Sequence, residues 1–190
     1  MRTILFIFAL LVTSSSVFAQ KIYPSKNLDA YVGTWKYQQN DTIFRIILQR
    51  GQYISDTSSS DISNGLFGGY WLIVNGKTVE KYWTPLLESY SYSPRVRPRN
   101  LYIWTSNSGL FADDIDPNWL YVDFYDQRKK HFDGRGIMGG FIRLLSPDKI
   151  HWKLDEEKGL QLKRNADEAF ENAKPIGFSV PTDVIMIKEE

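Results

Sequence analysis

Residues 31–48 read YVGTWKYQQNDTIFRIIL, and this stretch decides the fold class. Tyr31, Trp35 and Tyr37 fall on one face of an extended segment. The run 44–48 (FRIIL) then places its apolar residues on one face in the same way. Strict alternation over both runs predicts two half-buried β-strands in immediate succession, with no helix between them.

The period of two recurs along most of the chain and predicts an antiparallel β protein. Residues 68–83 (GGYWLIVNGKTVEKYW) hold two apolar runs joined by Asn75-Gly76, a pair that tolerates the positive φ angles of a type I′ hairpin turn. Further strands are predicted at 101–105, 119–126, 136–145, 150–154 and 181–188. Only residues 164–174 have helical spacing, which Pro175 would end. We expect about eight or nine strands and at most one short helix near the C-terminus, without a parallel sheet.

The first nineteen residues are typical of a secretory signal peptide. Arg2 precedes the apolar run 4–12, and Val17-Phe18-Ala19 offers the small residue that a signal peptidase requires. We expect cleavage near Ala19, which leaves residues 20–190 as a single β domain. No later segment reaches the roughly 18 apolar residues of a membrane helix, so a secreted or periplasmic protein of a bacterium is expected.

Composition excludes several classes of function. The formal net charge is +1, without the concentrated basic excess of a nucleic-acid-binding protein. Cysteine is absent and only two histidines are present, so a thiol enzyme and a three-histidine metal site are excluded. Aromatic residues make up 15% of the chain, which favours strands. We expect no enzymatic activity, no metal and no cofactor.

Gly33-Thr34-Trp35, at the start of the first long strand, resembles the opening of the calycins, which are the lipocalins, fatty-acid-binding proteins and avidins. In those barrels the tryptophan closes one end and packs under a basic side chain of the last strand. The resemblance implies that Lys188 has this role. The biotin-holding residues of avidins are not matched, so the resemblance implies no particular ligand. The chain is also similar to a family of small secreted bacterial proteins of unknown function with a GTW opening. A β-sandwich with an ordinary core tryptophan is the alternative fold.

Two motifs have ordinary structural explanations. GRGIMG (134–139) matches a dinucleotide-binding pattern, but it runs into a predicted strand rather than a helix, so its glycines indicate a sharp strand bend. Asp114, Asp116 and Asn118 match the start of a calcium loop. Trp119 and Tyr125 stand where that loop needs glycine and glutamate, so a solvated turn is favoured.

The segment 93–100 (SPRVRPRN) places Arg95, Arg97 and Arg99 at alternate positions of an extended, proline-stiffened stretch. Three guanidinium groups on one side suit a phosphate, sulfate or carboxylate ligand. The alternative is a basic loop that keeps a sheet edge from pairing.

These observations lead to two main hypotheses of function, and the third, a hydrolase-type enzyme, would need a cleft with convergent polar groups. In the first, the barrel interior binds a small apolar or amphipathic ligand, with the three arginines at its mouth. Its expected lining is Trp71, Trp83, Tyr102 and Trp104. In the second, the protein is an interaction module that binds a protein or a glycan through its exterior. A filled interior and an exposed aromatic patch would favour the second hypothesis.

Overall fold

The computed structural model describes residues 22–54, 61–83, 91–92, 101–108 and 116–190. The predicted signal peptide, the arginines Arg95, Arg97 and Arg99, and Asp114 of the calcium-like motif lie outside these residues. The described strands are β1 (Ile22–Tyr23), β2 (Gly33–Gln39), β3 (Thr42–Ile54), β4 (Ile62–Val74), β5 (Lys77–Tyr82), β6 (Ser91–Tyr92), β7 (Ile103–Ser106), β8 (Trp119–Phe124), β9 (Ile137–Ser146), β10 (Lys149–Lys153) and β11 (Asp183–Glu189). Two short helices are α1 (His131–Gly134) and α2 (Glu156–Ala166).

Eight of these strands close into an antiparallel barrel. The order is β4-β7-β8-β9-β10-β11-β2-β3, and β3 pairs again with β4 to complete the circle. The other three described strands lie outside this circle: β1 pairs with β4, and β6 pairs with β3. The third, β5, pairs with residues 70–74 of β4, which follow the residues 66–68 that pair with β7. The all-β barrel prediction is therefore confirmed, and the sandwich alternative is excluded.

The local sequence explains why neighbouring strands pair as they do. Asn75 and Gly76 adopt φ angles of 51° and 70°, so the predicted hairpin forms between β4 and β5. The β2–β3 and β3–β4 ladders run without a break, and β3 pairs with β4 from Thr42 to Ile54. These long ladders fix which side chains of each strand face inward.

Large side chains fill the barrel interior. Trp35, Phe44, Tyr70, Phe124 and Trp152 belong to one core cluster and have no exposed surface. The Phe44 and Trp152 rings meet edge-on with centroids 5.9 Å apart, and Phe124 meets Trp152 at 5.8 Å. The interior is therefore a packed core of interdigitating rings.

Gly33, Trp35 and Lys188 come together at one end of the barrel. Lys188 pairs with Trp35 across the β11–β2 ladder, and its Nζ lies 5.2 Å from the centroid of the indole ring. A Cβ atom on Gly33 would lie 3.1 Å from Cε of Lys188, so glycine leaves room for the lysine chain. The Trp35 indole N–H donates to the carbonyl oxygen of Tyr31 at 2.8 Å.

The helix prediction for residues 164–174 is wrong in position. The helix α2 spans Glu156–Ala166, and Asp155 caps its start by accepting a hydrogen bond from the backbone N–H of Lys158. Asp167 is extended, with φ −154° and ψ 109°, so it ends α2 inside the predicted helix. No helix among the described residues is both long enough and apolar enough to cross a membrane.

Candidate functional site

The helix α2 packs against the outside of the barrel through a contact between two backbones. A Cβ atom on Gly139 of β9 would lie 2.7 Å from the backbone nitrogen of Gly159. Only glycine permits so close an approach, which places α2 directly on β9. Beneath the helix, Leu160 packs with Ile137 and Phe132 in a small buried cluster. Gly139 is the last glycine of the GRGIMG motif. Because it contacts the backbone of Gly159, its role in the structure is to let α2 pack on β9.

A groove with mainly apolar walls runs between α2 and the outer face of β7, β8 and β9. Its volume is about 220 Å³. Trp104 and Val122 are buried residues of its lining, whereas Tyr121, Met138 and Leu162 are 38%, 45% and 44% exposed. The remaining lining residues are Ser106, Asp123, Gly139 and Lys158. We call this the apolar lobe.

A second pocket adjoins the apolar lobe and shares Asp123, Met138 and Leu162 with it. Its volume is about 250 Å³. Arg135 and Lys163 are the cationic members of its lining, so we call it the basic lobe. Taken together, the two lobes reach the size range of small-molecule sites, roughly 300–1,000 Å³.

One carboxylate lies beside both cations of the basic lobe. Asp167 Oδ2 is 3.7 Å from Arg135 and 3.7 Å from Lys163. Both cations also lie over the Phe170 ring, at 5.3 and 5.1 Å from its centroid. The Phe170 ring and the Asp167 carboxylate therefore hold the two positive charges side by side.

A strained turn positions the wall of the basic lobe. Phe132 and Asp133 in α1 have left-handed φ angles of 52° and 57°, which are costly for residues other than glycine. His131 anchors this turn, because its Nε2 lies 3.0 Å from Oε1 of Glu156 in the first turn of α2. The Glu156 carboxylate also accepts backbone N–H groups of residues 176 and 177. A partly buried polar network thus joins the turn to the helix.

A second polar cluster lies toward the other end of the barrel from Trp35. The Tyr70 hydroxyl donates to Oε2 of the buried Glu80 at 2.9 Å and accepts from the backbone N–H of Gln127 at 3.1 Å. Arg128 approaches Oε1 of Glu80 at 3.8 Å. Burial raises the pKa of Tyr70 above its ordinary value and outweighs the opposing effect of the Gln127 hydrogen bond. The phenol therefore stays protonated as a donor to Glu80.

The four residues expected to line the interior do not lie together inside the barrel. Trp71 is on the outer face, since its neighbours Tyr70 and Leu72 point into the core. Cations of Arg45 and Lys81 lie 5.5 and 4.9 Å from the Trp71 ring centroid. The prediction that Trp71 lines the interior is wrong.

Trp104 is also on the outside, because its neighbours on β7 face inward, and it packs with Phe67, Leu101 and Tyr125. It nevertheless lines the apolar lobe. Tyr102 packs at the edge of the core, with its ring 6.2 Å from that of Tyr70. Trp83 follows β5 and is partly buried.

The calcium-like motif forms a turn in its described part. The Asp116 carboxylate accepts the backbone N–H of Asn118 at 2.8 Å, as in an Asx turn. Within the described ranges, no group of three or more metal-ligating side chains is assembled.

Reasoning from the sequence missed Tyr121, Met138, Leu162, Arg135 and Lys163 as members of one site. One signal for the helix was present, namely Asp155 followed by Glu156 and Glu157, with Lys163 and Arg164 in the last turn. Where that helix lies on the barrel depends on Gly139 and Gly159, which are twenty residues apart.

Comparison with known proteins identifies the family of the chain, but the function of that family is unknown. Neither a curated protein nor a solved structure matches it. A family model described as a family of unknown function (DUF6705) matches residues 1–189. The match covers nearly the whole chain, and the chain therefore belongs to the DUF6705 family of unknown function.

Proposed function

We propose that this protein is a non-enzymatic binding protein that holds a small apolar or amphipathic ligand on the outside of its barrel, in the apolar lobe beside α2. One observation carries the proposal. Of nine large hydrophobic side chains exposed among the described residues, three line this one groove: Tyr121, Met138 and Leu162. Concave apolar surface with a few polar groups is the usual form of a small-molecule site.

The packed interior supports an outer site over an inner one. A ligand inside the barrel would have to displace rings such as Phe44, Phe124 and Trp152, which have no exposed surface. Vacating such a core costs several kcal/mol, since removing a single large aromatic side chain typically costs about 3–5 kcal/mol. The outer groove needs no such rearrangement.

Two further proposals belong with this function. Residues 1–19 direct the chain out of the cytoplasm, so the ligand is met in the periplasm or outside the cell. The second proposal is that Trp35 and Lys188 close one end of the barrel as the corresponding residues do in calycins. The distance of 5.2 Å between Lys188 Nζ and the centroid of the Trp35 ring supports it. In this account the closed barrel is a scaffold, and the groove is the site.

Titration with the neutral fluorophore N-phenyl-1-naphthylamine tests the proposal. The variant Leu162→Glu places a carboxylate in the apolar lobe, and the matched control Leu145→Glu changes a residue of equal character, 47% exposed on the same barrel but outside the groove. We expect fluorophore binding to the unchanged protein and to Leu145→Glu, and a loss of at least about tenfold in affinity for Leu162→Glu, because burial of a charge opposes binding.

The control decides between the outcomes. Equal losses in both variants, or no loss in Leu162→Glu, would place the fluorophore elsewhere and contradict the proposal. Far-ultraviolet circular dichroism of all three proteins excludes unfolding as the cause of a loss.

A second candidate is recognition of a glycan through the same side of the barrel. Trp119 stacks on Phe141 with ring centroids 4.0 Å apart, and Phe141 meets His151 edge-on at 5.4 Å. Tyr121 pairs with Phe141 across β8 and β9 and links this aromatic row to the groove. Retention on an immobilised polysaccharide that disappears in Phe141→Ala would favour the glycan over the small ligand.

A further inference from the structure

We propose that the ligand of the groove is a single-chain amphiphile with an anionic head, whose chain lies in the apolar lobe and whose head is bound by Arg135 and Lys163 in the basic lobe. This inference rests on the proposed function and adds the chemical class of the ligand. It is carried by the arrangement of the two lobes and by the charges that line them.

The lobes are placed to hold the two halves of one molecule. They share Asp123, Met138 and Leu162, so a ligand passes from one lobe to the other beside these side chains. Among the described residues, Trp104 lines only the apolar lobe, whose one cation is Lys158, whereas Arg135 and Lys163 line only the basic lobe. A molecule with an apolar chain and a charged end matches this change in character.

The charge balance of the lining selects an anion. Three cations line the lobes, Arg135, Lys158 and Lys163, against the single carboxylate of Asp123. The Asp123 carboxylate accepts a hydrogen bond from the Tyr125 hydroxyl at 3.0 Å. Asp167 offsets one further positive charge, because it lies at 3.7 Å from both Arg135 and Lys163. Summed over both lobes, one positive charge is left over, and a net positive groove favours an anionic ligand. Lys158 lines the apolar lobe, so this surplus belongs to the groove as a whole, while Asp123 and Asp167 face Arg135 and Lys163 in the basic lobe.

The anionic head group should increase the binding affinity only moderately. Asp167 already lies 3.7 Å from both cations, Lys163 is in the last turn of α2, where the helix dipole favours a cation, and Arg135 is exposed to solvent. An exposed ion pair contributes up to about 1 kcal/mol, so we expect dodecanoate to bind about fivefold more tightly than dodecanol. The apolar chain supplies most of the affinity for both.

Displacement of N-phenyl-1-naphthylamine by dodecanoate, dodecanol and dodecyltrimethylammonium tests the inference on the full chain, below the micelle concentration of each. The double variant Arg135→Gln/Lys163→Gln removes the proposed head site. The matched control Arg143→Gln/Lys149→Gln removes two exposed cations of β9 and β10 that do not line the groove.

We expect the order dodecanoate, dodecanol, dodecyltrimethylammonium, from tightest to weakest. The advantage of dodecanoate should disappear in the double variant and persist in the control, while the affinity for dodecanol stays unchanged in both. Unchanged dodecanol binding also reports that the double variant is folded. Equal binding of dodecanoate and dodecanol by the unchanged protein, or an advantage that survives in the double variant, would overturn the inference and leave the groove itself supported. Absence of binding by all three amphiphiles would instead contradict the proposed function.

Discussion

Gly159 of α2 lies directly against the backbone of Met138 in β9, and a Cβ atom on Gly159 would be 2.2 Å from the Met138 carbonyl oxygen. At Gly159 the backbone of the helix therefore contacts the backbone of the strand directly. Met138 is held at the point where the two lobes join, with its side chain 45% exposed. The groove between α2 and the barrel depends on this close backbone contact, which only glycine permits.

Replacing Gly159 by alanine tests this contact. In a solvent-exposed helix the change would stabilise by about 0.5–1 kcal/mol. Here the new methyl group meets the Met138 carbonyl, so we expect the free energy of unfolding to fall by about 1–3 kcal/mol. Urea unfolding measures it, with Gln161→Ala on the exposed side of the same helix as control. A Gly159→Ala protein as stable as the unchanged one would show that α2 does not pack so closely.

Replacing Lys188 by methionine tests the closure of the barrel end. Methionine keeps much of the apolar chain but removes the charge 5.2 Å from the Trp35 ring centroid. We expect a loss of about 1 kcal/mol in unfolding free energy, which is typical of a partly desolvated cation–π pair. Lys149→Met, on the strand next to β11, is the control and should change stability little. Equal effects of the two substitutions would mean that the indole contact adds nothing.

Replacing Glu156 by alanine tests the network that holds α1 and α2 together. Glu156 accepts from the backbone N–H groups of Ile176 and Gly177 and contacts His131 Nε2, so its loss leaves several partners unsatisfied. We expect a loss of about 1–3 kcal/mol or more in unfolding free energy. The neighbouring Glu157, which is exposed and pairs with Arg164, provides the control Glu157→Ala. A ranking in which Glu157→Ala is the more harmful change would refute this role for Glu156.

Alkaline pH should weaken the fold through Tyr70. Burial raises the pKa of this phenol in the folded state, whereas in the unfolded chain it ionises at about pH 10. Above that pH the unfolded state binds fewer protons than the folded state, so the free energy of unfolding falls as pH rises. The stabilisation is complete below about pH 10 and is lost above it.

The variant Tyr70→Phe isolates this contribution. It should be less stable at neutral pH, because Glu80 loses its hydrogen-bond donor, yet lose less stability between about pH 9 and pH 11 than the unchanged protein does. Urea unfolding over this range measures the slope, and Tyr121→Phe, with an exposed ring, serves as control. Parallel curves for Tyr70→Phe and the unchanged protein would contradict the assignment.

The barrel was predictable because its strands carry the period of two. Residues 31–48 became β2 and β3, and Asn75-Gly76 formed the expected hairpin. The sequence pattern did not predict whether the Trp71 side chain points into or out of the barrel. Residues 70–74 are apolar on both faces, so alternation does not identify the inward side. In the structure Tyr70 and Leu72 lie in the core, and Trp71 points outward between Arg45 and Lys81.

The groove could not be predicted from residue patterns in the sequence, and the reason is physical. Its walls come from β7, β8, β9 and α2, and the last three each contribute one exposed apolar side chain that is ordinary by itself, namely Tyr121, Met138 and Leu162. Their convergence depends on the glycine contact between β9 and α2, which is a tertiary relationship. The predicted helix was displaced toward the C-terminus, so Leu162 was not placed on a helix at all.

The central claim is that the ligand lies outside the barrel, and the methionines allow it to be tested directly. Met138 lines the outer groove, whereas Met186 has no exposed surface and belongs to the interior core. With 13C-labelled methionine methyl groups, nuclear Overhauser contacts to dodecanoate can be measured at each site. We predict contacts and a shift change at the Met138 methyl, with the Met186 methyl unaffected. Contacts at Met186 without contacts at Met138 would place the ligand inside the barrel and contradict the account.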